Sequence, residues 1–339
     1  MTTVSNPSYD PISALYDEMA RQMGDAQASL EGARDLARTI AGSLRRTKRL
    51  VLLGMGGSHA VGRALEPSYR ALGIDAIALP LSEQLDAPVP LEGRTVIVTS
   101  QSGESAEVLR WFADGHAPAD TFGSTMEPNS SLARLAPSLI GAGGSEIPFA
   151  ATRSLTVTLA LHAAILGELG LDLAPTLEIL RNPSLADVDA AVVRFNSVSA
   201  IVTSGRALQG VAEAIALGLT ELSRLPCFSL EGGQLRHGPV EMLAPSVGVV
   251  MFRGDDPSAD KVTSLAQFVA ESDAPLILFD ASGRPPVEGA LCVPCAKASG
   301  LAAAFSILPS AQRFMVDFAA SRVPDAGVPV RSSKVTRVE

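Results

Sequence analysis

Ser100-Gln101-Ser102-Gly103-Glu104-Ser105 gathers three hydroxyls and a carboxamide directly after the apolar run Val96-Ile97-Val98. A helical pattern starts at about Glu104. A buried strand that opens into hydroxyls at a helix N-terminus is a seat for a phosphate, because free backbone amides and the helix dipole both favour an anion. The alternative is a polar turn whose serines cap the helix. A second loop, Gly54-Met-Gly-Gly-Ser58-His59, follows an earlier strand. It is not G-x-G-x-x-G, since His59 stands where the third glycine would be. Its glycines still let backbone turn tightly beside a ligand. Two such loops at the C-terminal ends of neighbouring parallel strands would form one site.

Acid–base chemistry has its own candidates. Glu221 lies on a helical pattern, and His237 follows sixteen residues later in the glycine-bounded stretch Glu231-Gly-Gly-Gln-Leu-Arg-His-Gly-Pro. Of the other histidines, His59 adjoins the glycine loop, His116 falls in a polar turn, and His162 sits inside an apolar helix as a core residue. By spacing alone, an acid–base role for His237 and a plain loop histidine stand about even. Lys334, near the C-terminus, belongs either to a frayed tail or to a tail folded over a site, where its amine meets a carbonyl or forms a Schiff base. No cluster has metal-ligand spacing. Cys292-Val-Pro-Cys295 has redox spacing, but its apolar neighbours read as a strand carrying buried thiols.

The elements that would position these residues alternate. A long helical region covers 11–46, expected to break near Gly24. Strands at 49–53, 75–79 and 95–98 alternate with helices at 58–72 and 104–113, and a helix at 154–169 closes the first unit. The pattern then restarts, with strands at 199–202, 247–252 and 275–279 and helices at 208–224 and 301–320. Strands alternating with helices predict an α/β protein with doubly wound parallel sheets. The turn Asn182-Pro-Ser marks the boundary. In the second half, Phe252-Arg-Gly-Asp-Asp-Pro-Ser stands where the serine loop stands in the first. Asp255 and Asp256 would repel a phosphate, so one phosphate seat per chain is expected, in the first half.

The 339 residues suffice for two domains. A net charge of -9 speaks against a nucleic-acid groove. Residues 1–10 show no signal-peptide pattern, and the apolar stretch 155–169, interrupted by His162, Gly167 and Glu168, is too short to span a bilayer. A cytoplasmic protein with no membrane or nucleic-acid partner is expected.

Gly56-Gly-Ser-His, Ser100-Gln-Ser-Gly-Glu-Ser, Ala151-Thr-Arg-Ser-Leu-Thr156, Glu221, Leu235-Arg-His-Gly-Pro239 and Ser333-Lys-Val-Thr occur in the order and approximate spacing of the double sugar-isomerase (SIS) domain proteins. Over about 35–339 the chain resembles the isomerase part of the glutamine–fructose-6-phosphate aminotransferases and the stand-alone amino-sugar-phosphate deaminases and deglycases. The resemblance implies two flavodoxin-like domains, at 35–183 and 184–323, with a helical extension at 1–34 and an active-site tail at 324–339. It also implies that Ser58, Ser100, Gln101, Ser102 and Ser105 hold a sugar 6-phosphate, with Gly57, Ala151 and Thr152 near the sugar. Glu221 would move a proton between C1 and C2. His237, from the partner subunit of a homodimer, would assist ring opening, and Lys334 would contact the carbonyl end. No cofactor or metal is implied.

Departures from the family pattern bear on substrate and role. Residue 2 is Thr, where the aminotransferases carry a cysteine nucleophile, so glutamine-dependent amination by this chain alone is not expected. Gln234 replaces a usual Glu near His237. Arg153 and Ala151 replace a common Lys and Ser in the expected sugar-binding wall. The expected activity is isomerisation or deamination of an amino-sugar 6-phosphate, glucosamine 6-phosphate first. A fructosamine-6-phosphate deglycase and a non-catalytic phosphosugar sensor are the alternatives.

Overall fold

The structure, a computed structural model, describes residues 10–336. Residues 1–9 of the N-terminal extension and 337–339 of the tail lie outside the described residues. The chain opens with α1 (Pro11–Gly32) and α2 (Arg34–Thr47). The break falls at Ala33 rather than near Gly24. Gly24 stays helical inside α1, which packs along the helix that closes the first half and gains enough contact there to offset a weak helix former.

The first half then runs β1 (Arg49–Gly54), α3 (Gly57–Ala71), β2 (Asp75–Pro80), α4 (Glu83–Asp86), β3 (Thr95–Thr99), α5 (Ala106–Ala113), β4 (Thr121–Thr125), α6 (Ser131–Leu135), β5 (Ser138–Ile140) and α7 (Arg153–Leu169). The second runs α8 (Ala174–Arg181), α9 (Asp189–Arg194), β6 (Ala200–Ser204), α10 (Gln209–Ser223), β7 (Cys227–Ser229), α11 (Gly232–Arg236), β8 (Val247–Gly254), α12 (Ala259–Ala270), β9 (Leu276–Ala281), β10 (Leu291–Pro294) and α13 (Gly300–Arg322).

The result is two five-stranded parallel sheets, ordered β2-β1-β3-β4-β5 and β10-β9-β8-β6-β7. Read from the other edge, the second has the connectivity of the first, so the sequence repeat is a structural one. Both are doubly wound sheets of flavodoxin-like order. Val96, Ile97 and Val98 are fully buried, as a central strand of a two-sided sheet requires.

Two packing features position the site. Gly54 pairs with Thr99 at the C-terminal ends of β1 and β3, so the glycine loop and the serine loop leave the sheet side by side where its strand order reverses. The two halves meet where α10 crosses α3 at Gly210. A Cβ there would stand 2.0 Å from the amide nitrogen of Ala64, so only glycine permits this approach. The crossing carries the far end of α10 toward the loops of the first sheet.

Candidate active site

A cavity of about 290 Å³ opens at this junction. Ser58, Ser100, Gln101, Ser102 and Ser105 line it, as do Gly57 and Ala151; Glu221 and Lys334 line it from the second half and the tail. On α10 the lining positions are Ala214, Leu217, Gly218 and Glu221, spaced three and four apart as one helix face requires.

The serine loop is tightly built. The Gly103 amide donates to Ser100 Oγ at 3.2 Å and the Glu104 amide to Ser102 Oγ at 3.2 Å, while the Ser100 and Ser105 hydroxyls lie 3.1 Å apart. Helix α5 begins at Ala106 with Ser105 as its N-cap, two residues later than the pattern suggested. The Ala106 amide donates to the Thr336 carbonyl of the tail at 3.0 Å. The amides of Gly103, Glu104 and Ala106 are therefore engaged, and the serine hydroxyls become the principal donors for an anion.

In the same cavity, Glu221 is pushed up to about 7, chiefly by burial. The nearby Lys334 ammonium pulls it down, and Glu146 pushes it up as a like charge. Lys334 is held from two sides: its Nζ donates to the Phe149 carbonyl at 3.3 Å and lies 3.6 Å from Glu146 Oε2. The tail is thus anchored at both Lys334 and Thr336.

Not every expected residue reaches the cavity. Thr152 is buried and sits behind it. Its amide and hydroxyl both donate to Glu146 Oε1 at 2.8 Å, and its carbonyl accepts from Gln312 Nε2 at 2.9 Å. Arg153 turns away entirely; its fully buried guanidinium pairs with Glu18 and Asp25 of α1 and donates to the carbonyls of Ala142 and Gly144. It anchors a loop to α1 instead of forming a sugar wall. His237 is exposed at the end of α11 and does not line the cavity of its own chain. His162 is a core residue: its Nδ1 meets the Tyr69 hydroxyl at 2.9 Å, and burial pushes it down to about 3, so it is neutral.

Glu146 is the functional candidate that sequence reasoning missed. It is 2% exposed and caps the start of α7. One signal was present: it is the single charged residue between Arg134 and Arg153.

In the second half, the loop after β8 is filled by its own charges. Arg253 pairs with Asp280, and Asp256 Oδ1 accepts from the Ser258 amide at 2.7 Å. Lys297 lies 3.2 Å from Asp255. Cys292 lies on the edge strand β10 and Cys295 just beyond it; burial pushes the Cys295 thiol up to about 12, which keeps it protonated. Among the described residues no cluster of His, Cys, Asp or Glu could hold a metal ion, and no helix is long and apolar enough to cross a membrane.

Fold and cavity together define a protein of two flavodoxin-like halves sharing one cleft. No protein-family model matches the chain. Its curated relatives include the isomerizing glutamine–fructose-6-phosphate aminotransferase of Gloeobacter violaceus, 30% identical over 255 residues, which are 68% of this chain and 42% of that protein. Among solved structures, the C-terminal domain of glucosamine-fructose-6-phosphate aminotransferase from Francisella tularensis superposes with a TM-score of 0.80 at 21% identity, over 95% of this chain and 98% of that one. Tagatose-6-phosphate ketose/aldose isomerase from Escherichia coli gives 0.80 at 21% identity, over 94% and 97%. Glucosamine-6-phosphate deaminase from Thermotoga maritima gives 0.71 at 20% identity, over 92% and 99%. The chain is thus similar in sequence to isomerizing glutamine–fructose-6-phosphate aminotransferases and shares the fold of these solved phosphosugar enzymes. It spans less than half the length of the curated relatives it matches.

Proposed function

We propose that this chain is an enzyme of amino-sugar 6-phosphates, converting glucosamine 6-phosphate and water to fructose 6-phosphate and ammonia. The observation that carries the reading is one cavity lined together by the serine loop, Glu221 and Lys334, in which burial pushes the Glu221 carboxyl up to about 7. A base with that pKa can take and return a proton at neutral pH.

In this reading Ser58, Ser100, Gln101, Ser102 and Ser105 hold the phosphate. The ring opens with help from His237 of the partner subunit in a homodimer. Glu221 removes the C2 proton of the open-chain aldehyde and delivers it to C1. The Lys334 ammonium stabilises the negative charge that develops on the C1 oxygen. Water then adds to the C2 imine and ammonia leaves. Each step uses only residues of this chain or of its second copy, and water. The reading assigns the enzyme to the cytoplasm, where such phosphorylated metabolites occur.

One observation favours a second reading. The α10 residues that line the cavity with Glu221 are Ala214, Leu217 and Gly218. An apolar surface of this kind suits a substituent on the nitrogen, as in a deglycase that releases a hexose phosphate and a free amine.

A coupled assay for ammonia and fructose 6-phosphate tests the proposal. Turnover that Glu221→Gln lowers by about 10²–10⁴-fold supports it. Absence of turnover, or a variant as active as wild type, rejects it. A hexose phosphate and amine formed from a phosphorylated fructosamine, without ammonia release from glucosamine 6-phosphate, selects the deglycase.

A further inference from the structure

Glu146 is a buried carboxylate that the proposed chemistry does not use. Oε1 accepts three hydrogen bonds from the first turn of α7: the Thr152 amide and hydroxyl at 2.8 Å and the Arg153 amide at 2.7 Å. Oε2 accepts from the Ser154 hydroxyl and faces Lys334 Nζ at 3.6 Å. A carboxylate is favoured at the start of a 17-residue helix, where the dipole and the unpaired amides meet it. Its side chain has no exposed surface, whereas that of Lys334 is 24% exposed. Glu146 is therefore the partner set in the scaffold, and Lys334 is the partner that the tail brings to it.

We propose that Glu146 is the positioning residue for Lys334: Oε1 caps the start of α7, and Oε2, itself held by the Ser154 hydroxyl, holds the tail ammonium over the cavity. The assignment rests on the proposed function only for its consequence in turnover. The geometry stands apart from it. Both oxygens are tied to the start of α7, so the carboxylate presents its charge at a fixed place, and the lysine docks on that charge and on the Phe149 carbonyl. An ammonium fixed in this way serves as a charge and hydrogen-bond donor beside the substrate oxygen. The tail reaches the cavity because a buried anion waits for it there.

Three other buried polar clusters are paired internally. The Arg253–Asp280 pair is saturated by Thr263 and the Pro285 carbonyl. Arg153 is saturated by α1 and its loop, and Tyr69 with His162 forms a closed pair in the core.

The Glu146→Gln variant separates the two duties. Its amide oxygen still accepts from the start of α7, but its charge is gone. Lys334 is read by limited acylation with an amine-reactive ester, followed by mass spectrometry, with the exposed Lys297 as internal reference. In folded wild type, Lys334 is labelled slowly. In E146Q, labelling at Lys334 is expected to rise at least fivefold relative to Lys297, with circular dichroism unchanged. In turnover, kcat is expected to fall while KM moves little. If E146Q does not fold, Glu146→Asp is used. It keeps the charge but withdraws it by one methylene, and an intermediate rise is expected. Unchanged labelling of Lys334 in whichever variant folds overturns the assignment. The labelling needs no substrate, so its failure is distinct from failure of the proposed reaction.

Discussion

At Glu221 the environment decides the chemistry. Burial holds its carboxyl at about 7 against an ordinary 4.5, so the folded protein keeps the proton over a window in which the unfolded chain has lost it. Stability therefore falls as pH rises from 4.5 to 7, and the deficit persists above that. Glu221→Gln does not ionise. It should be more stable than wild type by on the order of 2–3 kcal/mol at pH 8 and equal to it at pH 4, as read from denaturant unfolding. In wild type, kcat/KM should rise with pH through an apparent pKa near 7. An equal stability difference at both pH values would show that Glu221 is not held protonated by its surroundings. The sequence displayed Glu221 as an acid on a helix, but not its burial, which depends on α10 crossing into the first half. Glu146 was less legible still: its partners lie at 152–154 and 334, and no local pattern links them. Arg153 was visible as a departure in a wall motif, yet its direction is set by Glu18 and Asp25, more than 120 residues upstream.

Among the elements, strongly periodic or apolar segments were readable and short ones were not. The long helices α3, α7, α10 and α13 and the strands β1, β3, β8 and β9 follow from spacing and apolar runs. The strands Thr121-Phe-Gly-Ser-Thr125, Ser138-Leu-Ile140 and Cys227-Phe-Ser229 did not show, because three to five partly polar residues carry little periodic signal and are specified by the strands beside them. The contact between halves was also invisible, although a single glycine permits it. Gly210→Ala would press a methyl onto the Ala64 backbone, with Ala60 O at 2.5 Å. The variant should lose about 1–3 kcal/mol in chemical unfolding and, by displacing α10, should lose activity as well. Wild-type stability and turnover in that variant would show that the crossing does not position Glu221.

On the scale of the whole molecule, one chain supplies the serine loop, Glu221 and Lys334 to a single cavity, while His237 lies on its surface elsewhere. A site completed by a second copy accounts for both facts. Mixing Glu221→Gln with His237→Ala chains, each inactive alone, should recover about a quarter of wild-type activity: about half the dimers are mixed, and each has one intact site of two. No recovery from chains shown to exchange would contradict a site shared between two copies.

The central claim is that a sugar phosphate lies across this cavity, with its phosphate on the serines and its C1–C2 end at Glu221. A crystal structure of the Glu221→Gln variant with glucosamine 6-phosphate tests it most directly. Phosphate oxygens within hydrogen-bonding distance of the Ser100, Ser102 and Ser105 hydroxyls, with C2 facing residue 221, is the expected result. A sugar phosphate bound away from the serine loop, or bound there with C1 and C2 out of reach of residue 221, would contradict it.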